Sequence, residues 1–154
     1  MQLKEGDKAP AIKSIDQDGK VISLLDFKGK KVVLYFYPED DTPTCTIEAC
    51  NLRDNFFVLT KNGIVVLGVS PDDATKHKKF EQKFQLPFRL IADPHKKIID
   101  TYGVWGEKNL YGRKYMGLLR TTFLIDEKGI IRKIFRKPRS KMHSEEILKA
   151  WAEL

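Results

Sequence analysis

Two cysteines, Cys45 and Cys50, lie five residues apart in the stretch YPEDDTPTCTIEACNLRD, and the chain has no other thiol. A thiolate is a strong nucleophile and a metal ligand, so this pair is the leading candidate for a reactive site. Two cysteines are too few for a scaffold of structural disulfides. Any redox role for the pair is therefore expected to be reactive rather than structural.

Cys45 follows a strand-like run and the loop PEDDTPT, at the predicted start of a helix. The free N–H groups and the partial positive charge of a helix N-terminus favour the thiolate over the thiol. Thr42 precedes Cys45 by three residues, so its hydroxyl is expected within reach of the sulfur. Pro38 and Pro43 stiffen the loop and present no N–H group. The acidic residues 39–41 are expected to face solvent.

Cys50 has a different relation to the same helix. Five helical residues place the Cα atoms of Cys45 and Cys50 about 8.7 Å apart. A disulfide tolerates a Cα separation of at most about 7 Å, so the two sulfurs cannot bond while the helix is intact. Either Cys50 is a small buried hydrophobic residue that never meets Cys45, or the first turns of the helix unwind to bring them together.

Other reactive sites have weaker support in the sequence. A zinc site would need two further ligands, but His77, His95 and His143 are scattered singly and are each predicted to lie on the surface. A cysteine protease would need a histidine base and an orienting partner, and no local motif supplies them. We therefore expect no metal at the cysteines.

The charge of the chain is strongly positive, with 28 Lys and Arg against 21 Asp and Glu and a formal net charge of +7. The basic stretch IRKIFRKPRSK interleaves its cations with Ile134 and Phe135, as on a half-buried strand. Because no zinc-finger, helix-turn-helix or RNA-recognition signature accompanies it, we interpret it as a solvated basic face and expect no nucleic-acid partner.

Nothing in the sequence predicts a membrane partner. No apolar run reaches the roughly 18 residues that a membrane span needs. The opening MQLKEGD is polar and of mixed charge, unlike a signal peptide. We expect a cytoplasmic protein.

The elements that must position the cysteines follow from the hydrophobic pattern. KKVVLYFY and IVVLGVS are nearly unbroken apolar runs, typical of strands buried on both faces. Strands that alternate with helices predict an α/β protein with a mixed sheet covered on both faces. No repeat or linker divides the chain, so residues 1–154 are predicted to form one domain. The predicted elements are a hairpin over 12–23, strands over 30–37, 64–70, 88–93, 121–126 and 130–135, and helices over 45–61, 72–84, 94–102 and 144–154, the last capped by Ser144.

Several motifs of the sequence resemble those of a known protein family. The run Pro38-x-x-x-Thr42-x-x-Cys45-x-x-Glu48 resembles the active-site signature of peroxiredoxins, and a second cysteine five positions on resembles the bacterioferritin comigratory protein or peroxiredoxin Q subfamily. GDKAP, GVSPDD, YGVWGEK and RTTFLIDEKG extend the similarity over nearly the whole chain. The resemblance implies a thioredoxin-like fold, which agrees with the alternating strands and helices. One departure is Thr44, where family members commonly have glycine. Its added side chain is expected either to narrow the mouth of the pocket or to restrict the backbone there.

The resemblance also implies roles for individual residues. Cys45 would attack the peroxide and become a sulfenic acid, and Cys50 would resolve it as an intramolecular disulfide. Thr42 and Arg120 would hydrogen-bond the thiolate and the peroxide oxygens. The remaining roles are shielding of the pocket by Pro38 and orientation of Arg120 by Glu48. Sequence position alone would make Arg120 a surface cation before a strand.

The sequence thus predicts a thiol-dependent peroxidase that reduces hydrogen peroxide and organic hydroperoxides. By the same resemblance it uses no metal or organic cofactor, is recycled by thioredoxin or a similar dithiol, and is a monomer or a weak dimer. Two alternatives stay open, a thiol–disulfide oxidoreductase and a non-enzymatic redox sensor or holdase. The absence of Cys-x-x-Cys weighs against the first.

Overall fold

The structure, a computed structural model, describes residues 2–154, and strands alternate with helices along them. The strands are β1 (Lys13–Ile15), β2 (Val21–Ser23), β3 (Lys31–Phe36), β4 (Ile64–Ser70), β5 (Arg89–Ala92), β6 (Trp105–Leu110), β7 (Arg113–Leu118), β8 (Thr121–Ile125) and β9 (Ile131–Phe135). The α-helices are α1 (Pro43–Asp54), α2 (Phe56–Lys61), α3 (Ala74–Phe84), α4 (Lys97–Thr101) and α5 (His143–Glu153). Short 3₁₀ helices cover Leu24–Phe27 and Ser140–Met142.

A five-stranded mixed sheet in the order β5–β4–β3–β8–β9 forms the centre of the fold. β3, β4 and β5 run parallel, whereas β8 is antiparallel to β3 and β9 is antiparallel to β8. The strand-like runs predicted for β3 and β4 are confirmed, because nearly every side chain of these two strands is buried. Burial on both faces explains why their sequences show unbroken apolar character rather than alternation.

Two hydrophobic cores lie on the two faces of this sheet. One includes Ala49 of α1, Leu59 of α2, Phe80 of α3 and Ile147 of α5. The other includes Ile99 of α4 and side chains from the β1–β2 hairpin. The prediction of a mixed sheet with helices on both faces and an N-terminal hairpin is therefore confirmed. No helix within residues 2–154 combines the length and apolar character needed to cross a membrane.

A second hairpin, β6–β7, was not predicted. Its strands pair antiparallel apart from the central sheet, and the turn between them is Tyr111-Gly112. Both turn residues have positive φ angles, 53° and 79°. Such a pair is typical of a two-residue turn whose twist matches antiparallel strands, and Gly112 was the one sequence signal for it.

The prediction of a single helix over 45–61 is wrong, because the helix breaks at Asn55. The side-chain Nδ2 of Asn55 donates to the carbonyl oxygen of Asn51 at 2.9 Å. An Asn side chain that takes a backbone acceptor in this way competes with the helical ladder. α1 therefore ends before Asn55. It also starts two residues earlier than predicted, and both cysteines lie inside it.

Predictions about three polar residues near the helices are also wrong. Ser144 does not cap α5, since the helix begins at His143 with Met142 in the cap position. His77 and His143, predicted on the surface, are both fully buried. Each imidazole has hydrogen-bond partners on both ring nitrogens, which is what permits its burial.

Candidate active site

Cys45 lies in the first turn of α1, where the chain leaves the carboxyl end of β3. The loop to α1 is tied to the sheet because the Tyr37 N–H donates to the Val69 carbonyl at 3.0 Å. Pro43 occupies the first helical position, where its missing N–H is harmless. The Cys45 side chain points inward and is only 1% exposed. The predicted position of Cys45 at a helix start is confirmed.

Arg120 contacts the sulfur of Cys45 directly. Its Nη2 donates to Cys45 Sγ at 3.0 Å, and its side chain is 21% exposed. The sheet makes this contact possible, since Arg120 immediately precedes β8 and Thr121 of β8 pairs with Phe36 at the end of β3. A guanidinium in this place stabilises negative charge on the sulfur. The prediction from sequence position alone, a surface cation, is wrong.

Glu48 lies one helical turn after Cys45 and contacts the second terminal nitrogen of the Arg120 guanidinium. Its Oε1 is 3.4 Å from Arg120 Nη1, and the residue is completely buried. Burial raises the pKa of Glu48 to about 7, although the nearby Arg120 charge opposes the rise, and Glu146 adds to it. Glu48 is thus a buried acid that titrates near neutral pH.

A second buried polar group lies near Glu48. Within the described part of the chain, neither Glu48 Oε2 nor the Tyr35 hydroxyl has a hydrogen-bond partner. Burial, followed by the charge of Glu48, raises the pKa of Tyr35 well above its ordinary value. Two buried polar atoms near Arg120 thus have no partner among the described residues, and such groups are few in native structures.

Thr42 and Pro38 flank the loop before Cys45. Thr42 is the cap residue of α1, but its Oγ1 accepts no hydrogen bond from the N–H groups of the helix and instead donates to the Glu39 carbonyl at 2.8 Å. Its oxygen keeps free acceptor capacity. Pro38 is half-buried, and Thr44, which departs from the family pattern, is exposed. The roles of Thr42 and Pro38 toward a peroxide stay predictions.

Cys50 lies on the same uninterrupted helix as Cys45, and both thiols are free. Cys50 is half-buried, whereas Cys45 is buried. The helical separation of about 8.7 Å between their Cα atoms therefore applies. In this state of the protein the two sulfurs are too far apart to bond.

Asp40 was expected to face solvent, but it is buried beside His77. His77 Nδ1 lies 2.6 Å from Asp40 Oδ2, and its Nε2 donates to the Ile91 carbonyl at 3.0 Å. The Tyr37 hydroxyl donates to the other oxygen of Asp40, whose backbone N–H donates to Asp72. This network joins the loop before Cys45 to α3.

Asp40, Asp72 and His77 also bring possible metal ligands within 4.8 Å of one another. Their ligand atoms are already hydrogen-bonded within the protein. The cluster is accordingly explained by its role in fixing the loop.

Lys108 on β6 is a further charged residue near the thiol that the sequence did not single out. Partial burial, followed by the Arg120 charge, lowers the pKa of Lys108, and the charge of Cys45 opposes the shift. The β6–β7 hairpin therefore adds a second cation to the electrostatic surroundings of Cys45.

Comparisons with known proteins show the family to which this chain is related. The sequence profile of the AhpC/TSA family matches residues 5–134. A peroxiredoxin bcp of Coxiella burnetii is 47% identical over 148 residues, which cover 96% of this chain and 98% of that protein. Peroxiredoxin Bcp of Bacillus subtilis is 42% identical over 154 residues, with 100% and 98% coverage.

Among solved structures, the bacterioferritin comigratory protein of Xanthomonas campestris superposes with a TM-score of 0.85 at 30% sequence identity. The match covers 92% of this chain and 90% of that one, and that structure was described in relation to alkyl peroxide reduction. This likeness confirms the thioredoxin-like fold expected from the sequence.

Proposed function

Since the chain belongs to the AhpC/TSA family as a peroxiredoxin of the bcp type, and is thus a thiol-dependent peroxidase, we propose that Cys45 is its peroxide-reducing cysteine. The observation that supports this assignment most directly is the 3.0 Å contact between Arg120 Nη2 and Cys45 Sγ. A cation in contact with a sulfur at a helix start favours the reactive thiolate.

In the proposed first step, the Cys45 thiolate attacks the terminal oxygen of the hydroperoxide. The S–O bond forms as the O–O bond breaks, and the departing alkoxide or hydroxide takes up a proton and leaves as alcohol or water. Sulfur is oxidised to a sulfenic acid and the peroxide is reduced. The reaction balances with a thiol and a peroxide alone, and we propose that it needs no metal or organic cofactor.

Arg120 and Thr42 are proposed to bind the charge that moves during this step. The guanidinium bonded to the sulfur can also reach an oxygen beside it, and charge on the leaving oxygen is where hydrogen-bond donors accelerate the reaction. Glu48 is proposed to orient Arg120 through its 3.4 Å contact. Pro38, half-buried at the start of the loop, is proposed to shield the pocket.

Cys50 is proposed to be the resolving cysteine. Its thiolate would attack the sulfenic sulfur of Cys45, the S–S bond would form as the S–O bond breaks, and the departing hydroxide would take up a proton and leave as water. Because the helix separates the two residues, residues 45–52 must lose helical structure before the disulfide closes. A frayed helix end is among the least costly local openings in a protein, which supports this route.

A thioredoxin-type dithiol is the reductant class for this family, and hydroperoxides are its substrates. The finer assignments are proposals: hydrogen peroxide and small organic hydroperoxides as substrates, thioredoxin itself as donor, a monomer or weak dimer, and a cytoplasmic location. Two free thiols that must be returned to the reduced state suit a reducing compartment.

Peroxide consumption in the presence of thioredoxin, its reductase and a reduced nicotinamide tests these proposals. We expect turnover with hydrogen peroxide and with an alkyl hydroperoxide. Reduction of protein disulfides without peroxide turnover would favour a thiol–disulfide oxidoreductase, and activity in neither assay would favour a non-enzymatic module.

A further inference from the structure

Asn51, the residue after Cys50, is hydrogen-bonded to the C-terminal segment through both ends of its side-chain amide. Its Nδ2 donates to the Lys141 carbonyl at 2.9 Å, and its Oδ1 accepts from the Ser144 N–H at 2.8 Å. A carbonyl can only accept and a backbone N–H can only donate, so one orientation of the amide satisfies both bonds. Asn51 thus joins α1 to the chain ninety-odd residues later in the sequence.

The bond to Ser144 replaces a missing helix cap. Ser144 is the second residue of α5, and its N–H is among the first four of the helix, which have no partner inside it. Met142, in the cap position, makes no side-chain capping bond. A side-chain oxygen at the cap position normally accepts from such an N–H, and here Asn51 supplies that oxygen from another helix.

The segment to which Asn51 is bonded is itself attached to the central sheet. His143 is fully buried, and its Nε2 is hydrogen-bonded to the Thr122 hydroxyl of β8 at 2.8 Å. Glu146 accepts from the Arg139 N–H at 2.7 Å and lies 3.1 Å from His143 Nδ1. α1 is therefore bonded through Asn51 to a well-anchored part of the molecule.

We propose that Asn51 is a positioning residue that holds the Cys50 half of α1 in helical form and so limits the rate of disulfide closure. This inference rests on the proposed function, in which Cys50 resolves the Cys45 sulfenic acid after local unwinding. Because Asn51 adjoins Cys50, it must leave the helix together with Cys50. Asn51 then loses both of its hydrogen bonds to the C-terminal segment. The time that the sulfenic acid stays open to a second peroxide depends on these bonds.

The test is a single-turnover experiment on the full chain with hydrogen peroxide. Samples are quenched with a thiol-blocking reagent, and the sulfenic and disulfide forms are resolved by mass spectrometry. In Asn51→Ala, disulfide closure relative to sulfenic acid formation should be on the order of tenfold faster, because two hydrogen bonds no longer oppose unwinding. With excess peroxide the same variant should accumulate less sulfinic acid than the wild type.

Ile47→Ala is the matched control. Ile47 is exposed on α1 within the segment that unwinds, and it too gains helix propensity on replacement by alanine. It makes no hydrogen bond to the C-terminal segment through its side chain. Asn51→Asp keeps an acceptor for the Ser144 N–H and loses the donor to Lys141, so its closure rate should lie between those of the wild type and Asn51→Ala.

Closure in Asn51→Ala within about twofold of Ile47→Ala would overturn the proposal. The wild type gives a second measurement that does not depend on any variant: oxidation should increase amide hydrogen exchange at Ser144, and unchanged exchange there would also overturn it. If the wild type forms no Cys45–Cys50 disulfide, the resolving role of Cys50 is wrong, and that outcome is recognised before any variant is compared.

Discussion

The Arg120 guanidinium lies 3.0 Å from the Cys45 sulfur, although 75 residues separate them in the chain. The contact exists because β8 pairs with β3 and brings its first residues to the carboxyl end of that strand. The loop after β3 leads into α1, and the first turn of α1 carries Cys45. The reactive group and its cation are therefore positioned by the sheet and by α1 together.

Cys45→Ser should abolish peroxidase turnover. An alcohol is far too weakly acidic to supply the anionic nucleophile that a thiol supplies. Coupled consumption of the reduced nicotinamide measures the loss. Cys50→Ser is the matched variant: it should still form one sulfenic acid per chain, detectable with a trapping reagent. Residual turnover in Cys45→Ser would show that another group is the nucleophile.

Arg120→Ala should slow the reaction with peroxide on the order of a hundredfold while the fold is retained. The loss of a donor to developing charge typically has an effect of this size. Rapid mixing with peroxide gives the rate constant. Arg132→Ala, which removes an exposed arginine that lies 3.4 Å from Asp126, is the control and should react as the wild type does. Equal rates in the two variants would contradict the proposed role of Arg120.

Glu48 should make the stability of the reduced protein depend on pH. Its pKa is about 7 in the folded protein and near 4.5 when unfolded, so the folded state holds its proton more tightly. The stability from this proton is fully present below pH 4.5 and is lost as the pH rises to about 7. This window corresponds to on the order of 3 kcal/mol of unfolding free energy.

Urea unfolding at pH 5 and pH 8 measures this effect. Glu48→Gln carries no titrating proton, so its stability should fall less than that of the wild type between the two pH values. Glu153→Gln, at an exposed position of α5, should behave as the wild type does. The same pH dependence in all three proteins would rule out the buried acid as its source.

Oxidation should unwind the first part of α1. The Cys45–Cys50 disulfide cannot close within an intact helix, so amide hydrogen exchange around 46–52 should rise sharply in the oxidised protein. Exchange in β4 should not change, because that strand is paired on both sides, with β3 and with β5. Equal protection of 46–52 in both redox forms, with the disulfide confirmed by mass spectrometry, would disprove unwinding.

The central strands and the helix that carries the cysteines could be predicted because their signals are local. The apolar runs of β3 and β4 indicate that these strands are buried on both faces. The five-residue spacing of Cys45 and Cys50 determines the distance between their Cα atoms on one helix. The break at Asn55 and the β6–β7 hairpin were missed because each depends on one side-chain bond or one turn.

The chemistry around the sulfur was decided by tertiary structure. The sequence by itself determined a strand, a stiff loop and a thiol at a helix start, since neighbouring residues suffice for these. The pairing of β8 with β3 brought the Arg120 guanidinium into contact with the Cys45 sulfur. Burial of Glu48 raised the pKa of its carboxyl group. Hydrogen bonds and desolvation act over a few ångströms, so they depend on which distant segments the fold brings together. Local sequence patterns do not contain that information.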